Sequence, residues 1–298
     1  MSIARDIRRR VAEETAALVA RGVRPGLAAI LVGDDPASAT YVRSKGKACE
    51  EAGIHSVTLR LPATTEQIEL LRQIDLLNAD PAIHGILVQT PLPEQIDAEA
   101  VMRCVHPSKD VDGFHPVNVG KMLIGQRDGF LPSTPAGIRE MLRVSGVETT
   151  GKDCVIVGRS NIVGKPMAAI LMQDAENANC TVTVCHRHTR DLASHTRRAE
   201  ILIVAAGRPN FIKGEMIRPG AVVIDVGINR VPDSSAKSGY RIVGDIDFES
   251  ARAVASKITP VPGGVGPMTI AMLLSNTVRA ASRFADARAI KATRAVNA

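Results

Sequence analysis

The chain reads as an α/β protein of two domains, and three observations carry that expectation. Helical and extended segments alternate along all 298 residues. The extended ones are short apolar runs of the kind buried in parallel sheets. A strand, a glycine turn and a helix start follow one another from Val155 to Pro166, near mid-chain. A domain that begins near residue 150 leaves about half of the chain ahead of it, enough for a second domain that holds a ligand, with a cleft between the two.

Each element has a local reason. Ile3, Ile7, Val11 and Leu18 recur at helical spacing and predict a helix over 2–21. The apolar run Leu27–Val32 predicts a strand, 37–52 a helix, Ser56–Leu61 a strand, 65–78 a helix and Gly85–Val88 a buried strand. The first half is therefore an α/β unit by itself. A Gly- and Pro-marked boundary lies between His106 and Pro135, after which Thr134 and Pro135 supply a capping residue and an N1 proline for a helix over 136–145. Strands follow near 153–157, 181–185, 200–205 and 221–225, with helices after the first two. Residues 231–239 read as a flexible excursion on a surface loop. The run Thr259 to Thr269, dense in proline and glycine, reads as a rigid loop or an interdomain linker, and an apolar helix over about 269–284 follows it.

Composition excludes several classes. With 45% hydrophobic residues the chain can bury sizeable cores. No run reaches the roughly 18–20 apolar residues of a membrane span, and the start, with Arg5, Asp6, Arg8, Arg9 and Arg10, lacks the apolar stretch of a secretory signal. A cytoplasmic protein is expected. Cys49, Cys104, Cys154, Cys180 and Cys185 form no CxxC pair and suit a reducing compartment without disulfides. Cys185 and His188 have a metal-like spacing, but no second cluster completes a tetrahedral set, so no metal is expected. The charge of +6 comes from 37 basic residues spread along the chain, and two Tyr, five Phe and no Trp offer few stacking platforms for nucleic acid. A polyanionic small molecule fits better. Lys291 and Arg294 belong to a cationic tail that reads as a solvated helix end.

The chemistry begins at the glycine turn. Gly158 and Gly164 stand apart by five residues, not in the G-x-G-x-x-G spacing, yet strand, turn and helix together present N–H groups and a helix dipole to a pyrophosphate. A tight turn with no ligand is the plainer alternative. The next strand ends in Cys185-His186-Arg187-His188-Thr189-Arg190, where an NAD site usually places a carboxylate. With Arg159, a basic tip of this kind can neutralise a 2′-phosphate, which favours NADP, or it can be a solvated cationic edge.

Upstream, Tyr41 and Lys45 share one helix face and can polarise a substrate and move protons, or simply make a surface contact. Their order relative to the glycine turn argues against short-chain dehydrogenases, whose glycine motif comes first. Gln89 ends a buried strand, where α/β sheets bind ligands, and Asp110 and Asp112 lie in a glycine-containing loop. Taken singly, these are also a satisfied amide and two turn formers.

In this order the segments resemble the bifunctional methylenetetrahydrofolate dehydrogenase/cyclohydrolase family, the FolD-type enzymes of one-carbon metabolism. The resemblance rests on Ser38 to Lys47, the Gln89 strand end, Lys109 to Gly113, Pro132 to Pro135, Gly158 to Pro166, Val223 to Asn229, Gly244-Asp245 and Pro260 to Thr269, spanning residues 38–269. It implies a folate-binding catalytic domain over 1–130, completed by 268–298, and a Rossmann-like dinucleotide domain over 131–267. It implies oxidation of 5,10-methylenetetrahydrofolate with NADP+ and hydrolysis of the methenyl product to 10-formyltetrahydrofolate. By the same resemblance Lys45, tuned by Gln89, handles proton transfer. Tyr41 and Asp112 hold the pterin, and Pro262, Gly263 and Gly264 contact the folate. Thr134, Gly158, Arg159, Ser160, Val163, Gly164, Arg187 and Ile228 bind NADP, and the protein is a homodimer. Three positions depart from the family pattern. Arg187 replaces a serine that helps bind the 2′-phosphate, and Ser133 and Thr90 replace a frequent cysteine and leucine.

Overall fold

The computed structural model describes residues 2–236 and 239–296. The chain divides into two compact units. The N-terminal unit comprises Ser2–Lys121, Arg127–Ser133 and the chain from Ile270 onward, and the central unit comprises Met122–Gln126 and Thr134–Thr269.

In the N-terminal unit, helix α1 (Ser2–Ala20) buries Ala4, Ile7, Val11 and Leu18, a stripe at helical spacing. Strand β1 (Gly26–Val32) is buried at every position and lies at the centre of a parallel sheet of order β2-β1-β3. Edge strand β2 (His55–Leu61) alternates toward solvent, and β3 (Gly85–Val88) is the short apolar run expected beside a central strand. Helices α2 (Pro36–Glu51) and α3 (Gln67–Ala79) fall close to the predicted spans. Ile30, Ile86, Leu70, Ile74 and Val101 form a core between sheet and helices. Two short helices in this stretch were not expected from sequence: α4 (Ala98–Cys104), whose cap Asp97 accepts from the Glu99 N–H at 2.8 Å, and α5 (Pro116–Leu123), inside the segment read as boundary.

The central unit opens with α6 (Ser133–Val144), three residues ahead of the predicted start, with Pro135 in the first turn, where a missing N–H breaks no helix bond. Five parallel strands follow: β4 (Asp153–Val157), β5 (Thr181–Cys185), β6 (Ile201–Val204), β7 (Val222–Asp225) and β10 (Lys257–Ile258). Their order across the sheet is β10-β7-β6-β4-β5. Helices α7 (Gly164–Leu171) and α8 (Leu192–Thr196) connect the first three, as expected of right-handed β-α-β crossovers. Val155, Leu202, Val204 and Val223 belong to the core of this unit.

Residues 231–239 correct the sequence expectation. Val231 and Pro232 end a strand, β8 (Asn229–Pro232), which pairs antiparallel with β9 (Tyr240–Val243), so the segment is mostly the tip of a hairpin; residues 237 and 238 lie outside the described ones. Alternating partial burial in a two-stranded ribbon gives too weak a pattern to read beside Pro232 and three small polar residues. After α9 (Phe248–Arg252), the long helix α10 (Val265–Val296) starts four residues earlier than predicted and runs beyond 284. The side chains of Lys291 and Arg294 in its tail lie outside the described residues. Among the described residues no helix is long and apolar enough to cross a membrane.

Candidate active site

Lys45 sits on α2, whose first turn is fixed by the Asp35 carboxylate accepting from the Ser38 N–H at 2.7 Å and by Pro36 at N1. Val42, Ala48 and Cys49 bury one face of this helix, which leaves Tyr41 and Lys45 one turn apart on a neighbouring face, Tyr41 exposed and Lys45 half-buried. The Lys45 Nζ donates to Gln89 Oε1 at 3.1 Å. Gln89 is the first residue past β3. Its backbone N–H continues the ladder to Ile30 O, and its side-chain amide donates to Thr90 O at 2.7 Å, which turns the carbonyl toward Lys45. The strand end thus presents an acceptor, not a donor, to the ammonium.

The residues just before Asp112 are pinned in two ways. Asp110, buried, accepts from the His115 N–H and Asn118 Nδ2, each at 2.8 Å, and from the Phe114 N–H at 3.2 Å. On α10, buried Asn276 donates to Val111 O at 2.8 Å and to Leu131 O at 3.1 Å. Burial pushes the Asp112 carboxyl up to about 6, with the Lys45 charge pulling the other way and Asp110 adding to the rise. Burial likewise lowers Lys45, against the opposing pull of Asp112. Cys49, one turn further on, is pushed up to about 12 by burial and stays a neutral thiol beside them. An amine and a carboxyl that each resist ionisation, within one field, make a pair suited to giving and taking protons.

The central unit carries a different site. Strand β4 runs into Gly158 at φ +131°, where a side chain would place its Cβ 2.2 Å from Ala205 O. Ser160 Oγ accepts from the Val163 N–H at 3.1 Å and from the Gly164 N–H at 3.4 Å as the chain enters α7. With β4 flanked by β5 and β6, the chain reverses direction across the sheet between β4 and β6, where doubly wound sheets bind ligands beyond their carboxyl ends. A pocket of about 420 Å³ opens there, lined by Gly158, Arg159 and Ser160 from the first strand end, Arg187 from the second, and Arg208 and Phe211 from the third. Its three guanidinium groups, close backbone at Gly158 and apolar wall suit a phosphorylated adenosine, so the residues fit the end of an NADP molecule. Burial and the neighbouring Arg159 charge lower His186, which also lines the pocket.

The sequence-predicted residues separate accordingly. Lys45 and Gln89 are joined by a hydrogen bond, with Asp112 in their field, while Gly158, Arg159, Ser160 and Arg187 share the central pocket. Thr134, Val163, Gly164 and Ile228 belong to the central unit but not to that lining: Thr134 Oγ1 lies 2.9 Å from Thr269 Oγ1, Val163 is buried, and Ile228 is exposed. Pro262, Gly263 and Gly264 also belong to the central unit, in the turn ahead of α10. Sequence reasoning missed Arg208 and Phe211. The Arg208 guanidinium stands 4.1 Å over the Phe211 ring, and the only signal was a glycine two residues beyond an apolar strand. Among the described residues no group of three or more His, Cys, Asp or Glu is arranged to hold a metal ion.

These features define a class: a parallel, doubly wound dinucleotide-type unit in one chain with a second α/β unit that carries a half-buried lysine bonded to a strand-end amide. Residues 1–112 match the catalytic-domain profile of tetrahydrofolate dehydrogenase/cyclohydrolase, and residues 132–285 match that family's NAD(P)-binding domain. The chain belongs to the tetrahydrofolate dehydrogenase/cyclohydrolase family. It is 59% identical over 263 residues to the bifunctional protein FolD of Prosthecochloris aestuarii, covering 88% of this chain and 89% of that protein. Its fold matches the crystal structure of the FolD methylenetetrahydrofolate dehydrogenase/cyclohydrolase of Campylobacter jejuni at a TM-score of 0.90 and 50% identity, over 95% of this chain and 96% of that one. The Trypanosoma brucei dehydrogenase-cyclohydrolase, solved with NADP and an inhibitor, matches at 0.90 and 44%, over 95% of each chain.

Proposed function

We propose that this chain oxidises 5,10-methylenetetrahydrofolate to the methenyl cation with NADP+ and hydrolyses that cation to 10-formyltetrahydrofolate. The observation that carries the reading is the Lys45–Gln89 hydrogen bond beside Asp112, in a chain whose other unit ends its strands in an arginine-lined pocket. NADP+ supplies the hydride acceptor when bound. The oxidation asks of the protein mainly alignment, with Tyr41 against the pterin and Asp112 on its polar edge. Hydrolysis asks for protons. Water adding to the methenyl carbon must lose one, the hydroxyl so formed must lose its second as the formyl carbonyl forms, and the ring nitrogen released as the carbon–nitrogen bond breaks must gain one, so the steps release one proton net and need a group that is both base and acid. Lys45, lowered by burial and steered by the Gln89 carbonyl, takes that role.

Arg159 and Arg187 support NADP+ over NAD+, since a 2′-phosphate is what a carboxylate at the second strand tip would reject and guanidinium groups attract. A cytoplasmic homodimer belongs to the same reading, and sedimentation velocity tests the dimer. The deciding experiment follows reduced cofactor formed from methylenetetrahydrofolate with NADP+ or NAD+, and in parallel the disappearance of methenyltetrahydrofolate. Faster reduction of NADP+ and hydrolysis above the buffer rate are expected. No reduction of either cofactor would sink the reading.

A further inference from the structure

Two buried carboxylates lie behind the arginine-lined pocket, and neither touches it. Asp245 is fully buried, and all of its side-chain contacts are donors: the Ala206 N–H at 2.5 Å and the Gly207 N–H at 2.8 Å on Oδ2, the Arg208 N–H at 3.0 Å and Asn229 Nδ2 at 2.8 Å on Oδ1. Four donors fill the acceptor sites of a carboxylate. Its backbone carbonyl accepts from the Phe211 and Ile212 N–H groups, and Gly244 O accepts from Asn210. Pro209 has no N–H. Every backbone donor from Ala206 to Ile212 is therefore spent on Gly244 and Asp245.

Asp225, at the end of β7, fixes this anchor in turn. Its carboxylate accepts from the Asp245 and Gly227 N–H groups at 2.9 Å and from the Ile246 N–H at 3.0 Å, while its own N–H meets Thr259 Oγ1 at 2.8 Å. The approach is so close that a Cβ on Gly244 would fall 1.8 Å from Asp225 Oδ2. The stretch held in this way carries the third wall of the pocket, including Ala206 and the stacked pair Arg208 and Phe211.

We propose that Asp245, locked by Asp225, is the positioning residue of the cofactor pocket: it sets the 206–212 wall so that Arg208, stacked on Phe211, meets the adenosine end of the dinucleotide. The inference rests on the NADP+-dependent reading above. A wall without regular secondary structure has no ladder to hold its shape, and one carboxylate with four donors supplies the missing template. An amide in its place accepts through one atom and turns an NH2 group toward N–H donors, so the wall shifts while the core behind it remains apolar and filled.

The test compares wild type with Asp245→Asn and Arg208→Ala. Equilibrium affinities for NADP+ and for 2′,5′-ADP, which carries only the phosphorylated adenosine end, are measured by calorimetry; cyclohydrolase rate and melting temperature are measured beside them. For Asp245→Asn, both affinities should weaken together by about tenfold, the dehydrogenase KM for NADP+ should rise in step, and kcat at saturation should stay within about threefold. Cyclohydrolase, which uses no cofactor, should stay within about twofold, a result that a merely structural lesion would not leave. A folded Asp245→Asn protein with wild-type affinities overturns the proposal. If that variant does not fold, Arg208→Ala decides: a matched loss for both ligands supports the wall's role, and unchanged affinities overturn it. Wild type that fails to reduce NADP+ sinks the functional reading and this inference with it, whereas an active wild type beside an unaffected variant sinks the inference alone.

Discussion

At the scale of single residues, two charged side chains carry the sharpest expectations. Asp112 raises the Lys45 pKa against the lowering by burial, so Asp112→Asn removes a charge that stabilises the ammonium. The limb of the cyclohydrolase pH–rate profile that reports Lys45 should then move to lower pH, and a limb that stays in place, or moves up, would count against the coupling. Arg187 is exposed, lines the pocket and donates to His188 Nε2 at 3.1 Å, so it stands where the family pattern has a serine without being fixed in a buried ion pair. If it meets the 2′-phosphate, Arg187→Ala should raise the KM for NADP+ by about tenfold and leave that for NAD+ unchanged, as expected for one charge-assisted contact. Equal effects on both cofactors would assign it to solvent or to the pyrophosphate.

At the scale of elements, α10 contributes more than apolar packing. From Ile270 onward it belongs to the N-terminal unit, and its Asn276 bonds to Val111 O, next to Asp112, and to Leu131 O, tying two segments of that unit together. Asn276→Ala leaves one buried and one partly buried acceptor unpaired and should cost about 2 kcal/mol in denaturant melts, with a raised KM for methenyltetrahydrofolate. Asn276→Asp, which cannot donate to both carbonyls, should not restore the wild-type KM; full recovery there would remove the hydrogen bonds from the explanation. All strands of both sheets except the two-residue β10 were legible, most clearly where a buried parallel strand is an apolar run bounded by glycine, as in Gly85–Val88 and Asp153–Val157. Lys45, Gln89 and Asp112 were legible because motif and helix face set them. Asn276 was not, and Asp245 was legible only as part of a motif, not in its role: each acts through backbone partners distant in sequence, 165 residues in the case of Asn276 and Val111, and no local pattern encodes such a contact. The short helix α4 and the hairpin β8–β9 escaped for the opposite reason, since a few residues of weak alternation fall below what periodicity resolves.

At the scale of the whole molecule, the two proposed reactions draw on residues held by separate cores. Lys45, Gln89 and Asp112 hang on the sheet β2-β1-β3 and its helices, whereas Gly158, Arg159 and Arg187 hang on the five-stranded sheet. Loss of one function therefore need not pass to the other through unfolding, and a reciprocal pair of variants tests that independence. Gly158→Ala places a Cβ 2.2 Å from Ala205 O in a backbone conformation that L side chains rarely adopt, so the turn must move where a cofactor backbone approaches. Its kcat/KM for NADP+ should fall by about a hundredfold or more, with cyclohydrolase within about twofold of wild type. Lys45→Met keeps the length and packing of the side chain and deletes the proton carrier. Its cyclohydrolase rate should fall by about a hundredfold or more, the usual share of a general acid–base group, while NADP+ affinity is unchanged. Should Gly158→Ala lose hydrolysis as fully as hydride transfer while its melting temperature holds, the division of labour is wrong and the turn serves the folate as well as the dinucleotide.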